Sequence, residues 1–250
     1  MDRVVICMKW GTLYSADYVN VLYNAVRAHL EGPFRFVCLT DDPEGILEAV
    51  ECHPIPEFGL EHRHWYDGAW PKLGVFSQDL YGLTGRGLFI DLDMIICGDL
   101  APFFTHAQGL VTIDEGVWND GAASTMTSIF AFDLGAMSGI LQRFVADRDG
   151  MVARYKIEQA YLHGEAQPIS YWPAEWLVSF KRHLRQPLLL DRFQHPKQPP
   201  EAARIVVFHG RPRPIDLMRP GGGNRDLFPH YVGGQVGWAR DYWLKYGGRL

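Results

Sequence analysis

Apolar residues along the first hundred positions come in two alternating rhythms. Val4 to Met8 is a short unbroken apolar run, the pattern of a strand buried on both faces. From Ser15 to Leu30 the apolar positions Val19, Leu22, Val26 and Leu30 fall at helical spacing. Ser15 suits an N-cap, and Gly32-Pro33 ends the segment. Phe34 to Leu39 predicts a second strand, closed by Thr40-Asp41-Asp42-Pro43. Glu44 to Val50 reads as a short helix, and Trp70-Pro71-Lys72 opens another that runs to about Tyr81. Gly85-Arg86-Gly87 then turns into a third strand from Leu88 to Ile96. This β-α-β-α-β rhythm predicts an α/β fold with a parallel sheet and helices on its faces. Ligands bind at the carboxyl ends of the strands in such sheets. Lys9-Trp10-Gly11, Thr40-Asp41 and an Asp91-Leu92-Asp93 triplet all fall there.

The second half is less regular. Ser128 to Phe132 reads as a strand, Gly135 to Phe144 and Ile157 to Leu162 as helices, and Ile169 to Trp172 as a strand edge. Ile205 to Phe208 is a strand delivering His209-Gly210. A Gly- and aromatic-rich tail follows Pro220, with Trp238 to Tyr246 suited to a short amphipathic helix.

Two carboxylates one residue apart interrupt the apolar run Gly87–Ile96. On a strand, Asp91 and Asp93 would share one face. Burying like charges so close is costly unless a cation lies between them. A divalent ion with hard oxygen ligands, Mn²⁺ or Mg²⁺, meets that need, and such ions are commonly completed by substrate phosphates. The alternative is a solvated strand end.

Composition narrows the class. The chain has 250 residues, a formal net charge of −5, 47% hydrophobic and 21% charged residues. It therefore carries enough apolar residues for one large domain, and lacks the basic balance expected of a duplex nucleic-acid binder. Cys7, Cys38, Cys52 and Cys97 form no C-x-x-C pair and read as free thiols of a reducing compartment. The amino-terminal apolar run is too short for a signal peptide, and no run reaches membrane-spanning length, so a cytoplasmic protein is expected. Tyr231, Trp238, Tyr242, Trp243 and Tyr246 with Arg240, Lys245 and Arg249 suit either a peripheral membrane interface or a tail folded over the cleft or core.

Six features carry a resemblance to bacterial glycosyltransferases of GT-A fold, near glycosyltransferase family 8. They are Lys9-Trp10-Gly11 with Tyr14-Ser15-Ala16-Asp17-Tyr18, Thr40-Asp41-Asp42, Trp70-Pro71-Lys72-Leu73, Asp91-Leu92-Asp93, Trp172-Pro173 with Ser179-Phe180-Lys181, and Phe208-His209-Gly210. The likeness spans roughly residues 4 to 215. It departs from that family in lacking an Asn and Gly in the strand after the D-x-D, and in placing Gly210 directly after His209.

The resemblance implies a GT-A-like, nucleotide-diphospho-sugar-transferase fold: one domain over 1–250, with a mostly parallel central sheet flanked by helices. Residues 1–100 would be the nucleotide-binding half, 101–215 the acceptor-side half with the metal histidine, and 216–250 the tail. It implies a nucleotide-sugar donor, UDP-linked, and a saccharide or lipid-linked acceptor. Asp91, Asp93 and His209 would hold Mn²⁺ or Mg²⁺, the first acid also touching the ribose. Lys9, Tyr14, Thr40, Asp41, Lys72 and Leu92 would line the donor site. Lys181, Gly210, Arg211 and Arg213 would lie at its diphosphate, where Arg suits bidentate contact. Glu158-Gln159 resembles an acid–Gln pair near the reacting sugar. Glu158, or Asp114, Glu115 or Asp120 after the D-x-D, could act as base or support an oxocarbenium-like centre. Trp118, Trp172 and Trp176 suit sugar stacking or core packing. The alternatives are a haloacid-dehalogenase-like phosphatase, which also uses Asp-x-Asp but near the amino terminus, a nucleotidyltransferase, and a non-catalytic nucleotide-sugar or glycan-binding module.

Overall fold

The structure is a computed structural model that describes residues 2–118, 121, 124–218 and 235–250. Its elements in chain order are β1 (Arg3–Lys9), α1 (Ala16–His29), β2 (Arg35–Thr40), β3 (Glu51–His53), β4 (Arg86–Ile90), β5 (Ile95–Ile96), β6 (Leu110–Asp114) and β7 (Thr125–Asp133). Then come α2 (Gly139–Ala146), α3 (Arg148–Tyr155), α4 (Glu158–Glu165), β8 (Ile169–Tyr171), β9 (Leu177–Ser179), β10 (Ile205–Val207), α5 (Pro214–Met218) and α6 (Gly237–Lys245).

Seven strands form one sheet in the order β3-β2-β1-β4-β7-β6-β8. β3, β2, β1 and β4 pair in parallel, as do β6 and β8, while β7 runs antiparallel to both of its neighbours. The link 115–124 is shorter than the dozen or more residues that a parallel crossover needs, and β7 returns beside β6 in the opposite sense. A smaller sheet sets β10 between β5 and β9.

The unbroken apolar run of β1 has the cause inferred for it. Val5 and Cys7 face a core built with α1 (Val19, Leu22, Val26), while Val4, Ile6 and Met8 face a second core built with Trp70, Leu73 and Phe76. Both faces of the sheet are thus covered, as parallel strands require. Cys7, Cys38, Cys52 and Cys97 are all free thiols.

Three expected elements differ. Glu44–Val50 is a pair of turns rather than a helix, because Gly45 adopts φ +76° and the Asn20 side chain takes the Leu47 N–H and donates to Gly45 O. The segment from Trp70 is a fully buried 3₁₀ helix that stops at Phe76. Gly74 there packs so tightly that an added Cβ would meet Pro56 at 3.2 Å. The expected strand Leu88–Ile96 is broken: β4 ends at Ile90, and 91–94 form a turn before β5. The hydrophobic pattern also does not predict β6 or α3. α3 buries no residue and therefore has no apolar stripe to read.

The aromatic tail, where described, folds onto the core. Trp243 is buried and packs edge-on against Tyr18 at 4.8 Å, and Tyr246 O accepts from Asn24 Nδ2. Tyr231 lies outside the described residues. No described helix is long and apolar enough to cross a membrane.

Candidate active site

β2 and β4 flank β1 on opposite sides, so the chain changes direction across the sheet at β1, the switch point beyond whose strand ends such sheets bind ligands. The Asp91-Leu92-Asp93 turn sits there. Asp91 N–H donates to Ser128 O on β7 at 2.9 Å, and Leu92 is buried in the core. The apolar middle residue thus anchors the turn while the two acids flank it. This corrects the strand geometry inferred from sequence. Across this turn the Asp91 charge still acts on Asp93.

Each acid has its own partner. Lys72 Nζ lies 2.7 Å from Asp91 Oδ1 and 2.8 Å from Oδ2, and also donates to Thr127 O at 3.3 Å. Its ammonium stands 5.3 Å from the centroid of the buried Phe89 ring. Tyr14 Oη donates to Asp93 Oδ2 at 2.8 Å. Burial, and then the like charge of Asp91, push Asp93 up to about 6. Burial also lifts Asp91, against the pull of Lys72. Lys72 itself is held above its ordinary value: burial would lower it, but Asp91, Glu158 and Asp93 outweigh that.

Glu158 opens α4, and its carboxylate is almost wholly buried. Oε2 accepts from Thr127 Oγ1 at 2.9 Å, and Oε1 has no hydrogen-bond partner. Burial pushes its pKa up to about 7. Glu158 is shut away from solvent against Thr127, so a direct role on a substrate hydroxyl does not follow from the geometry. Gln159 beside it is half-buried. Asp120 lies outside the described residues. Asp114 accepts the N–H groups of Gly116 and Ser124, a turn-forming role.

The loops after β1 and β2 are clasped together. Lys9 Nζ donates to Asp42 O at 2.9 Å, Thr40 Oγ1 donates to the same carbonyl, and Asp41 Oδ2 accepts from Gly11 N–H at 2.9 Å. Lys9 and Thr40 are both buried, and both are engaged by the Asp42 carbonyl.

On the far side, His209 follows β10. Its Nε2 is 2.7 Å from Ser179 Oγ, and Trp118 stacks on its ring at 6.0 Å. Burial, and then Lys181, Arg182 and Arg185, push it down to about 4, so the ring is neutral at pH 7. Gly210 adopts φ +71° beside Lys181 Nζ, and Arg211 is exposed. The Arg213 guanidinium lies 5.7 Å from the Tyr14 ring centroid, which joins this segment to the Asp93–Tyr14 pair. Among the described residues, no three His, Cys, Asp or Glu side chains are gathered to hold a metal ion. Asp91, Asp93 and His209 therefore do not form a ready three-ligand cluster in this structure. Trp172 and Trp176 pack against Phe103 and His106, which favours the packing role over sugar stacking.

The sequence paired Asp91 with Asp93 by spacing, and the family resemblance set Tyr14, Lys72 and Glu158 around the same donor site. It did not pair Lys72 with Asp91 or Tyr14 with Asp93, because those contacts join segments far apart in the chain.

No protein-family model and no curated protein matches the sequence. Solved structures do match the fold. The galactosyltransferase LgtC, in complex with donor and acceptor sugar analogs, aligns at TM-score 0.56 and 17% identity, over 84% of this chain and 88% of that one. The glycosyltransferase GlyE of Streptococcus pneumoniae aligns at TM-score 0.57 and 12% identity, over 98% of this chain and 60% of that one. The bifunctional glycosyltransferase WbbM aligns at TM-score 0.55 and 11% identity, over 85% of this chain and 46% of that one. The chain has the fold of GT-A-type glycosyltransferases. Identities this low establish the fold, and the activity must be argued from the site.

Proposed function

We propose that this protein is a metal-dependent glycosyltransferase that moves a sugar from a UDP-linked donor to a saccharide or lipid-linked acceptor. The observation that supports this best is the Asp91–Asp93 turn at the switch point beyond β1 and β4, with Lys72 on the first acid and Tyr14 on the second. The donor set fits a hard divalent ion. The two acids flank one residue of a turn, Lys72 sits on Asp91, and Asp93 is left with the weaker cation compensation. Asp93, with Asp91, would hold Mn²⁺ or Mg²⁺, and His209, neutral at pH 7, would supply a nitrogen donor only by leaving Ser179 and moving to the acids. The ion would supply Lewis-acid stabilisation of the departing nucleoside diphosphate.

The chain's own residues have distinct parts in this reading. Lys72 fixes the Asp91 carboxylate, and Tyr14 orients Asp93. Arg213, Lys181 and Arg211 offer cationic charge to the diphosphate. Glu158 biases the Lys72 ammonium toward its charged form. The haloacid-dehalogenase-like reading loses support, because the D-x-D follows the fourth strand rather than the first. A non-catalytic nucleotide-sugar-binding module shares the same donor site and differs only in turnover.

A thermal-shift series with UDP, GDP, ADP and CMP, each with and without Mn²⁺, tests donor and metal together. A ligand at ~100-fold its dissociation constant adds about 2.7 kcal/mol of stability. UDP should stabilise only with Mn²⁺, and Asp93→Asn should abolish that shift while remaining folded. A folded Asp93→Asn protein that keeps the shift would overturn the metal assignment. Nucleotide release from UDP-sugars then separates an enzyme from a binding module.

A further inference from the structure

Residues 185–196 form a closed loop whose ends are stapled together. Lys197 N–H donates to Leu184 O at 2.7 Å, and Gln186 Nε2 donates to His195 O at 3.1 Å. Between the staples the backbone coils. Asp191 N–H reaches Pro187 O at 2.8 Å, and Gln194 N–H reaches Leu190 O at 2.8 Å. Asp191 is buried and pins the coil inward. Leu189 and Phe193, spaced i and i+4, therefore emerge on one side. They are 78% and 85% exposed, the two most exposed large apolar side chains among the described residues, and Leu188 and Leu190 flank them at 44% and 45%. A free apolar tip of this kind is costly in water unless something covers it.

The flank of the tip is basic. Lys181, Arg182, Arg185 and Lys197 line an open groove of about 630 Å³ that runs in to His209. From 181 to 197 the sequence holds five Lys and Arg and one acid, in a chain whose net charge is −5. Positive charge is therefore concentrated on this face against the balance of the chain. Exposed Leu and Phe beside clustered Lys and Arg are the pair of features that hold a protein to an anionic lipid surface. A second copy docking through the same patch would set like charges against each other, which disfavours self-association there.

We propose that the loop 185–196 with its basic flank docks on an anionic phospholipid bilayer. Leu189 and Phe193 enter the headgroup–acyl boundary, and Arg182 and Lys197 meet the lipid phosphates with Lys181 and Arg185 behind them. In the described part of the aromatic tail, Trp243 and Tyr246 are packed on α1 and so are not free to enter a bilayer. This inference does not depend on the transferase reading, although a bilayer at this face would lie at the mouth of the groove that reaches His209.

The test is co-sedimentation of the full chain with phosphatidylcholine vesicles made with and without phosphatidylglycerol, with no nucleotide or sugar present. The protein should sediment only with the anionic vesicles, and added salt should release it. Leu189→Ser and Phe193→Ser should each weaken binding about tenfold or more, and Arg182→Glu should weaken it as well. All three positions are exposed, and circular dichroism checks that the variants fold. Failure of the wild-type chain to bind anionic vesicles, or full binding by folded Phe193→Ser, would overturn the proposal. Light scattering that shows a dimer lost in Phe193→Ser would overturn it in favour of a contact between copies. Since the assay contains no donor, its failure leaves the glycosyltransferase reading standing.

Discussion

The Lys72 ammonium is held between both oxygens of Asp91, at 2.7 and 2.8 Å, with only about a tenth of its side chain exposed. The pair joins the 3₁₀ helix under the sheet to the turn above β4, so a core element sets the position of the first acid. Lys72→Met keeps the stem and removes the charge. Breaking a buried pair from one side costs roughly 3–5 kcal/mol, and Asp91 keeps some solvent access, so a loss of about 3 kcal/mol is expected. Urea denaturation reads it as a lower midpoint at unchanged slope. An unchanged midpoint would show that the pair contributes nothing to the fold.

Tyr14 reaches Asp93 from the loop before α1, and its ring is already packed edge-on against Tyr18 at 4.8 Å. Tyr14→Phe preserves that packing and deletes one hydrogen bond to the acid. Groups that orient a metal ligand typically contribute 10- to 100-fold in affinity. Isothermal titration with Mn²⁺ and UDP should show at least about tenfold weaker metal binding. Equal affinity would mean that Asp93 needs no such orientation.

Glu158 gives a pH dependence with a definite sign. Its carboxyl is raised from its ordinary 4.5 to about 7 by burial. The unfolded chain ionises this group first, so the folded state loses stability as pH climbs from 4.5 toward 7. Glu158→Gln removes that loss. Its stability relative to wild type should therefore improve by up to about 3 kcal/mol between pH 5 and pH 8. Chemical denaturation at the two pH values measures the difference. A flat or opposite trend would show Glu158 ionised in the folded protein at both.

Arg86 is wholly buried at the start of β4. It bonds Asp133 Oδ1 at 2.9 Å and the carbonyls of Gly109 and Ala107 at 2.6 and 2.8 Å, tying β4, β7 and the lead-in to β6 together. Arg86→Ala should cost about 3 kcal/mol or more, through lost packing and an Asp133 left without its cation, holding only the Gly109 N–H. Arg35→Ala, which breaks the exposed pair with Glu51, should cost under about 1 kcal/mol. Equal losses from the two would deny burial its role.

Much of the first half was legible in the chain. The run Val4–Met8 and the helical spacing of Val19, Leu22 and Val26 are local signals, and they matched β1 and α1 because each face packs on its own core. The break after Ile90 was not legible. Asp91-Leu92-Asp93 sits in a run that alternates like a strand, and only the Asp91 contact to Ser128 and the burial of Leu92 turn it aside. Glu44–Val50 failed for a similar reason, since Asn20 on α1 takes the N–H that a helix would have used internally.

The sequence by itself determined the order of the first strands and helix and the chemistry near their ends: two acids one residue apart where a parallel sheet opens, and aromatic and cationic residues further on. Hydrophobic periodicity is a property of neighbours in the chain, so it fixes such elements without knowledge of the rest. Only the tertiary structure decided what each acid faces. Lys72 against Asp91, Tyr14 against Asp93, Glu158 buried behind Thr127, and the apolar tip at Leu189 and Phe193 left outside are relations between distant segments. They depend on how helices cross the sheet and on how burial reweighs each charge, and no local pattern encodes either.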